Sequence, residues 1–268
     1  MRKIIIGDLH GNFGGIDCIL AKSKYDPAAD QVIFVGDYID GSLGEDFSVK
    51  KTINNIIKLQ DENKNIIKLI GNHDWWMLDW IQQKNVEPLS VWYNQGGKAT
   101  LLSYDIKGRQ IELLFNKVKH QILKSHVEFL EGLWPSYYDD EVVVVHGGFI
   151  NSHDMLGVYE NAPLEEFSLK YPISSTTMYQ STGYNSEYPI YNILWDRDFY
   201  RTSVKSLLDC YKDIFGDRIF ICGHTPRGPI LYTEKGVKRY LIDGGSKGGG
   251  LLNALIIKDG HCTLIKED

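Results

Sequence analysis

Two aspartates, Asp37 and Asp40, end the apolar run "QVIFVGDYID" three residues apart. A carboxylate at the end of a buried strand is unfavourable unless a cation, hydrogen-bond donors or water stabilise it. The same arrangement, a short aliphatic run followed by polar residues, recurs in "KIIIGDLHGN", "NIIKLIGNHD", "EVVVVHGGF" and "RIFICGHTP". The sequence therefore places cation-binding side chains at the ends of several predicted strands.

These side chains are of the types that bind transition metals. Imidazole and carboxylate groups are ligands for zinc, iron or manganese, and an asparagine supplies a neutral oxygen. The candidates are Asp8, His10, Asp37, Asn72, His146 and His224. Such a set exceeds what one ion with open positions needs, whereas two ions that share a bridging carboxylate account for it. Metal pairs roughly 3.5–4 Å apart recur in phosphate ester hydrolysis, so we expect that chemistry.

The elements that must position these residues can be predicted from hydrophobic patterning. Continuous Val, Ile and Leu runs indicate strands buried on both faces. Helical spacing from Ile16 and from Ser48 separates the first three runs, which predicts a β-α-β-α-β opening with parallel pairing. In open α/β sheets, ligands bind at the carboxyl ends of the strands. The candidate ligands can therefore converge although they lie far apart in the sequence.

The remainder of the chain fits the same α/β class. Apolar spacing predicts further helices from Asp74 and from His120, and the end of the chain predicts a hairpin at "KDGHC". Between about 150 and 193 the chain is rich in Tyr, Ser, Thr and Pro, and we expect an irregular cover over the strand ends. Because no repeat or linker interrupts the pattern, we predict one domain over 1–268.

Composition limits the possible partners. Hydrophobic content of 43% and charged content of 24% are typical of a soluble globular protein. A formal net charge of -6 gives no basic surface for a nucleic acid polymer or an anionic membrane. The cysteines are scattered without a CxxC pair, and no run approaches the roughly 20 apolar residues of a membrane span. The first residues are also too polar for a signal peptide, so we expect a cytoplasmic protein.

The motifs together resemble a known family. "GDLHG", "GDYID", "GNHD", "HGG" and "GHTP", in this order, are similar to the fingerprint of the calcineurin-like metallophosphoesterases. "YNQGGKATLLSY" and "HVEFLEGLWPSYYDDEVVVVHGG" resemble the bacterial branch of the phosphoprotein phosphatases, which contains Ser/Thr protein phosphatases and symmetrical diadenosine tetraphosphate hydrolases. The resemblance runs from Lys3 to about Gly250. It implies a four-layer α/β/β/α sandwich with mixed sheets and a dinuclear site between them.

The resemblance also implies a role for each ligand. It assigns Asp8 and His10 to the first metal, makes Asp37 the bridging carboxylate, and assigns Asn72, His146 and His224 to the second metal. A water that bridges both ions is then the nucleophile, because bound metal lowers its pKa from 15.7 towards roughly 7. Manganese is the expected metal, with iron or zinc as alternatives.

His73 and Asp40 are the implied catalytic pair. His73 matches the family's general acid, which protonates the leaving oxygen, and Asp40 matches the partner that orients it. A carboxylate behind a histidine is a common way to fix its tautomer and its direction. The two aspartates of "GDYID" therefore have different predicted tasks.

One position departs from the family pattern. An arginine that grips the phosphoryl oxygens usually follows the second aspartate, but Gly41 occupies that position here. Losing a charge-assisted hydrogen bond of this kind costs about 1.5–3 kcal/mol. Arg197 in "ILWDRDF" matches an arginine of the bacterial branch, so we predict that it binds phosphate together with Asn72. Arg201 and Arg227 are reserve candidates.

We therefore interpret the sequence as a dinuclear-metal phosphoesterase, a Ser/Thr-type protein phosphatase that hydrolyses phosphate monoesters. The alternatives are a symmetrical bis(5'-nucleosyl)-tetraphosphatase and a catalytically weakened homologue that binds metal or phosphate. The expected substrate is a phosphorylated protein or a nucleotide-type molecule. A nucleotide-binding Rossmann domain is disfavoured because no GxGxxG follows the first strand.

Several features near the motifs have simpler interpretations. Core packing is favoured over base stacking for Trp75, Trp76 and Trp80. Helix N-capping explains Asp74, and "GGSKGGG" reads as a flexible turn because it lacks the GxxxxGK[ST] spacing of a phosphate loop.

Overall fold

The fold was analysed on a computed structural model that describes residues 1–42, 44, 47–83, 91–107, 121–148, 193–197 and 199–268. The described strands are β1 (Arg2–Ile6), β2 (Asp30–Phe34), β3 (Ile66–Lys68), β4 (Ser136–Tyr138), β5 (Val142–Val145), β6 (Ile219–Cys222), β7 (Ile230–Glu234), β8 (Val237–Leu241), β9 (Asn253–Lys258) and β10 (His261–Lys266). The described α-helices are α1 (Phe13–Ser23), α2 (Val49–Glu62), α3 (Asn72–Gln83), α4 (Lys98–Ser103), α5 (Lys124–Glu131) and α6 (Lys205–Phe215). The cover predicted at about 150–193 lies, up to residue 192, outside the described residues.

The strands form two mixed sheets of five strands each. The first has the order β10-β9-β1-β2-β3, and the second has the order β4-β5-β6-β8-β7. Pairing is parallel from β1 to β2 to β3 and from β5 to β6 to β8. It is antiparallel at β9 and β10, on one side of the first sheet, and at β4 and β7, the two edges of the second. The predicted parallel opening and the hairpin at "KDGHC" are both confirmed.

Side chains that alternate along the strands build separate layers. Ile5, Val144 and Ile221 belong to a buried hydrophobic cluster to which both sheets contribute. Their sequence neighbours point away from it, and Ile4 packs with the helices on the outer face. Tyr211 of α6 lies against Phe220 of β6, with ring centroids 5.6 Å apart. The α/β/β/α sandwich with mixed sheets is therefore present.

Helix bounds agree with the sequence patterns to within a few residues. Ser48 caps α2, since its Oγ accepts a hydrogen bond from the backbone N–H of Lys51. The helix predicted from Asp74 begins two residues earlier, at Asn72. Of the helix predicted from His120, the structure describes α5, which begins at Lys124. Among the described residues, no helix has the length and apolarity that a membrane crossing requires.

Candidate metal centre and general acid

The candidate ligands follow β1, β2, β3, β5 and β6, and the loops after β1, β2 and β6 have an unusual backbone. Positive φ angles occur at His10 (46°), Asp37 (52°), Asp40 (68°) and His224 (65°). These make up half of the non-glycine residues with positive φ in the described chain. Such backbone is sparsely populated, persists only where surrounding contacts hold it, and clusters at functional sites. The loops are therefore shaped to aim these side chains.

Asp37 lies at the middle of the arrangement. Its Oδ2 is 3.4 Å from Nε2 of His10 and 3.4 Å from Nε2 of His146. Its Oδ1 accepts a hydrogen bond of 2.9 Å from the backbone N–H of His73. One oxygen is thus anchored to the protein while the other faces an imidazole on each side, which is the position expected of a bridging carboxylate.

The two imidazoles are oriented by main-chain carbonyl groups. Nδ1 of His10 lies 2.7 Å from the carbonyl oxygen of Ile39, and Nδ1 of His146 lies 3.0 Å from that of Val35. A carbonyl oxygen only accepts, so Nδ1 carries the proton in both rings and Nε2 points towards Asp37. Metal-binding histidines are held in this way in proteins generally.

The distances suit metal coordination. Ligand atoms bound to one ion at about 2.1 Å and at a tetrahedral angle lie about 3.4 Å apart. His10, Asp37 and His73 form one group whose potential ligand atoms lie within 4.8 Å of one another, and Asp37, His146 and His224 form a second. Asn72 joins the second group, because its Oδ1 is 3.1 Å from Nε2 of His146. Asp37 is the member that the two groups share.

Two buried atoms in the centre have no hydrogen-bond partner in the described structure, namely Oδ1 of Asp8 and Nε2 of His224. The other oxygen of Asp8 accepts a hydrogen bond of 2.9 Å from the backbone N–H of His224. Leaving a buried carboxylate oxygen and an imidazole nitrogen unpaired is costly. The donor set therefore fits metal ions, which would satisfy both atoms.

The electrostatics of the centre differ from one ligand to the next: burial alone would lower the pKa of His146, but Asp37 raises it. Burial lowers the pKa of His10 to about 3 and also lowers that of His224, which leaves both rings neutral, as metal ligands must be. Burial raises the pKa of Asp8, with Asp243 and Asp37 adding repulsion. Burial alone would raise the pKa of Asp37, but the neighbouring histidines, His146 first, hold it well below its ordinary value.

The predicted dyad is also assembled. Nδ1 of His73 lies 2.7 Å from Oδ2 of Asp40, and both side chains are buried. Asp40 has further donors that sequence reasoning did not identify: Nε1 of Trp92 at 2.6 Å and Oγ1 of Thr100 at 2.5 Å. Burial raises the pKa of Asp40, and these hydrogen bonds oppose that shift. Because Nδ1 is engaged, Nε2 is the nitrogen of His73 that is available for proton transfer.

Asp74 does more than cap a helix. Its carboxylate accepts hydrogen bonds of 2.8 Å from the N–H of Asp37, 2.9 Å from that of Tyr38 and 2.9 Å from that of Gly71. It therefore ties the loop after β2 to the start of α3. The interpretation as an N-cap was incomplete, because the backbone donors come from two separate loops.

Of the two predicted phosphate residues, Asn72 is buried with the second group of ligands, whereas Arg197 lies beside His224. Arg197 is exposed, and its Nη1 donates a 3.2 Å hydrogen bond to the carbonyl oxygen of His224. A second cation was not predicted: Nζ of Lys247 lies 3.0 Å from Nε2 of His73.

Trp75 and Trp80 are buried as expected, whereas Trp76 is half-buried and its ring centroid lies 5.0 Å from that of His73.

Comparison with known proteins agrees with this geometry. The model of the calcineurin-like phosphoesterase family matches residues 1–233. Among solved structures, a proposed diadenosine tetraphosphatase is 17% identical over 99% of this chain and 93% of its own, with a TM-score of 0.56. A cold-active protein-tyrosine phosphatase of a psychrophile, Shewanella sp., is 16% identical over 100% and 80%, with a TM-score of 0.61.

A protein serine/threonine phosphatase from Saccharomyces cerevisiae, similar to human phosphatase PP5, is 14% identical over 99% of this chain and 79% of its own, with a TM-score of 0.56. A search of the curated proteins found no match. At these identities the solved structures establish the fold alone. The family match establishes more: the chain belongs to the calcineurin-like phosphoesterases. It is a metal-dependent phosphoric ester hydrolase.

Proposed function

We propose that the protein is a dinuclear-metal phosphatase that hydrolyses phosphate monoesters, of the Ser/Thr protein phosphatase type. The observation that carries the proposal is the position of Asp37, whose Oδ2 lies equally far from His10 and His146 while the His73–Asp40 dyad lies beside it. A centre built for a single ion would not need a carboxylate shared between two groups of ligands.

Six side chains would hold the two ions. Asp8 and His10 would hold one ion, Asn72, His146 and His224 would hold the other, and Asp37 would serve both. Bound ions of this kind supply Lewis acidity and lower the pKa of a bound water. Carboxylate, imidazole and amide ligands favour manganese first, with iron or zinc as alternatives.

His73 provides the proton for the leaving group. Its Nδ1–H donates to Asp40, so the ring is held in one orientation and its Nε2 faces the opening of the centre. A proton at Nε2 passes to the ester oxygen as its bond to phosphorus breaks, and Nε2 then regains a proton from solvent. A general acid of this kind contributes about 10²- to 10⁴-fold to the rate.

Asn72 and Arg197 position the phosphoryl group. Asn72 opens α3, and its amide faces the second group of ligands. Arg197 places a guanidinium beside His224 at the rim, where it can donate to phosphoryl oxygens with little rearrangement. The exposure of Arg197 suits a residue that meets a substrate from solvent.

A second candidate substrate is a dinucleoside tetraphosphate, cleaved symmetrically. The half-buried ring of Trp76 favours it, because an aromatic surface beside His73 can stack against a nucleobase. One of the solved structures similar to this chain is a proposed diadenosine tetraphosphatase. A panel of phosphopeptides and dinucleoside polyphosphates under the same manganese concentration separates the two substrates.

The function is tested with p-nitrophenyl phosphate, manganese and metal analysis. We expect wild-type protein to hold two ions and to turn over the ester. Asp37→Asn should lose about 10³-fold or more in rate together with metal content, and His73→Ala about 10²- to 10⁴-fold with metal content retained. Lys58→Met supplies the matched control, since Lys58 is 80% exposed on α2 and its ion pair in the described residues is with Glu62.

Two results would count against the mechanism. Robust hydrolysis by both variants would exclude the assigned roles of Asp37 and His73. Bound metals without turnover on any phosphate ester would identify a weakened homologue instead.

Because the cysteines form no disulfide in the described structure, we place the activity in the reducing cytoplasm.

A further inference from the structure

We infer that Lys247 is a phosphate-binding residue of this centre, supplying a cation to the substrate from the turn after β8. The inference rests on the proposed phosphatase function and adds a residue that neither the motifs nor the family match, which ends at residue 233, assigns. It also gives a role to the "GGSKGGG" segment, which the sequence alone marks only as a turn.

The contact with His73 locates the cation. Nζ of Lys247 lies 3.0 Å from Nε2 of His73, the nitrogen that faces the leaving group in the proposed reaction. An ammonium group only donates, so in this contact it uses the lone pair of Nε2. When a phosphate ester enters, its oxygens are stronger acceptors and lie within reach of both groups. Lys247 then turns to a phosphoryl oxygen and releases Nε2 of His73, which takes up a proton from solvent and donates it to the ester oxygen as the bond from that oxygen to phosphorus breaks.

The loop that carries Asp40 also holds the backbone of Lys247. Oγ of Ser42 donates a 3.0 Å hydrogen bond to the carbonyl oxygen of Lys247. The residue lies in a short 3-10 turn, Ser246–Gly248, whose flanking glycines, Gly245 and Gly249, have φ angles of 83° and 80°. The side chain is half-buried. Lys247 therefore extends towards the centre from a turn whose backbone is held in place by a hydrogen bond.

The neighbouring Gly41 explains why the cation comes from elsewhere in the chain. A Cβ atom added to Gly41 would lie 1.6 Å from the backbone oxygen of His10, which is far inside van der Waals contact. No side chain can be carried there without moving the loop that presents His10 and Asp40. The loop therefore cannot carry a cationic side chain at position 41. The next residue, Ser42, instead binds the backbone of the turn that carries Lys247.

The decisive measurement is the affinity of the manganese-loaded protein for inorganic phosphate, by calorimetry. We expect Lys247→Met to weaken phosphate binding about ten- to hundredfold, since it removes a charge-assisted hydrogen bond. Manganese content should remain that of the wild type. Lys247→Arg should recover most of the affinity because it restores the charge. Lys124→Met is the matched control, since that side chain is 91% exposed on α5.

The outcomes separate this inference from the proposed function. If wild-type protein hydrolyses phosphate esters and Lys247→Met binds phosphate as tightly as wild type, Lys247 is not a ligand and the inference fails alone. If wild-type protein neither hydrolyses esters nor binds phosphate, the proposed function fails and the inference with it. Should Lys247→Met not fold, Lys247→Gln and Ser42→Ala replace it. Ser42→Ala leaves the charge in place but releases the turn, so a weakening of only a few-fold is expected.

Discussion

Strands β1 and β5 carry ionisable groups at both ends, and the two ends differ in how those groups are paired. At the amino ends, Nζ of Lys3 lies 3.1 Å from Oδ2 of Asp139 and 2.6 Å from Oε2 of Glu141. At the carboxyl ends, Asp8 follows β1 and His146 follows β5. Lys3, Asp139 and Glu141 are thus paired with one another, whereas the carboxyl ends bring several acidic groups together.

The pKa values express this difference. Burial alone would raise the pKa of Asp139 and Glu141, but hydrogen bonds from Lys3 and from the backbone lower both. At the carboxyl ends, burial raises the pKa of Asp8 and Asp74, and raises that of Asp243 to about 6. The amino-end cluster is complete within the protein. The carboxyl-end cluster becomes favourable only when a cation joins it, which is what distinguishes a site from a structural ion pair.

The largest expected effect is that on turnover when one carboxylate at the carboxyl ends, Asp8, is replaced by an amide. The same replacement at the amino ends, at Asp139, is the comparison. Asp8→Asn should lower turnover by about 10³-fold, because a metal ligand worth several kcal/mol is lost. The metal-free variant should melt at a higher temperature than metal-free wild type, since a buried carboxylate in a crowded centre has been neutralised. Activity assays and thermal unfolding at pH 8 measure both.

Asp139→Asn is the control at the opposite end. It should leave turnover unchanged and lower the melting temperature. If both variants lost stability to the same extent without metal, the difference between the two ends would not hold.

The next effect concerns the amino ends alone. Lys3→Met should destabilise the protein by about 2–3 kcal/mol at pH 7, because Lys3 is 5% exposed and its loss leaves two partly buried carboxylates unpaired. The pairs stabilise the fold above about pH 4, and their contribution disappears as the pH falls through the lowered pKa values of Asp139 and Glu141. Urea unfolding should therefore show a difference that shrinks in acid. A constant difference would mean that packing, not charge, holds Lys3.

The smallest effect concerns a buried carboxyl group outside both clusters. Asp79 is 4% exposed, its Oδ1 has no hydrogen-bond partner in the described structure, and burial raises its pKa to about 6. A raised pKa means that the folded protein holds the proton more tightly, so stability falls as the pH rises from about 4 to about 6. Asp79→Asn should remove this loss and gain on the order of 1–2 kcal/mol at pH 7.5.

Unfolding of Asp79→Asn and wild type at pH 4 and pH 7.5 measures that gain. Nearly equal stability is expected at pH 4, where the carboxyl group is protonated in the folded protein and about half ionised in the unfolded chain. A variant less stable than wild type at pH 7.5 would show that Asp79 has a stabilising partner when ionised.

Local pattern predicted much of this molecule. The aliphatic runs identified the strands, and the polar residues that follow them identified the loops of the centre, because a buried strand must end where its side chains become polar. Helical spacing likewise located α1 and α2 to within a few residues. The assigned roles of the ligands and of the dyad stay predictions until metal and rate are measured.

The residues that hold the aspartates of the centre in place could not be predicted from local sequence patterns. Trp92 and Thr100 contact Asp40 across 52 and 60 residues. Thr100 lies within "YNQGGKATLLSY" and Trp92 directly before it, but the sequence of this segment does not indicate that either residue binds a carboxylate. Asp74 was interpreted from its own helix, although two of its three backbone donors belong to the loop after β2. Contacts of this kind depend on how separate loops fold over one another.

The sequence by itself determined the α/β class, the order of the strands that carry the centre, and the chemical types gathered at their ends, since periodicity and residue type are local properties. Only the tertiary structure decided which atoms meet: Asp37 between two imidazoles, and Lys247 beside His73 across 174 residues. The missing side chain at Gly41 has the same origin, because the space is closed by the backbone of His10. Distance in space between residues far apart in the chain is set by packing, which no local pattern records.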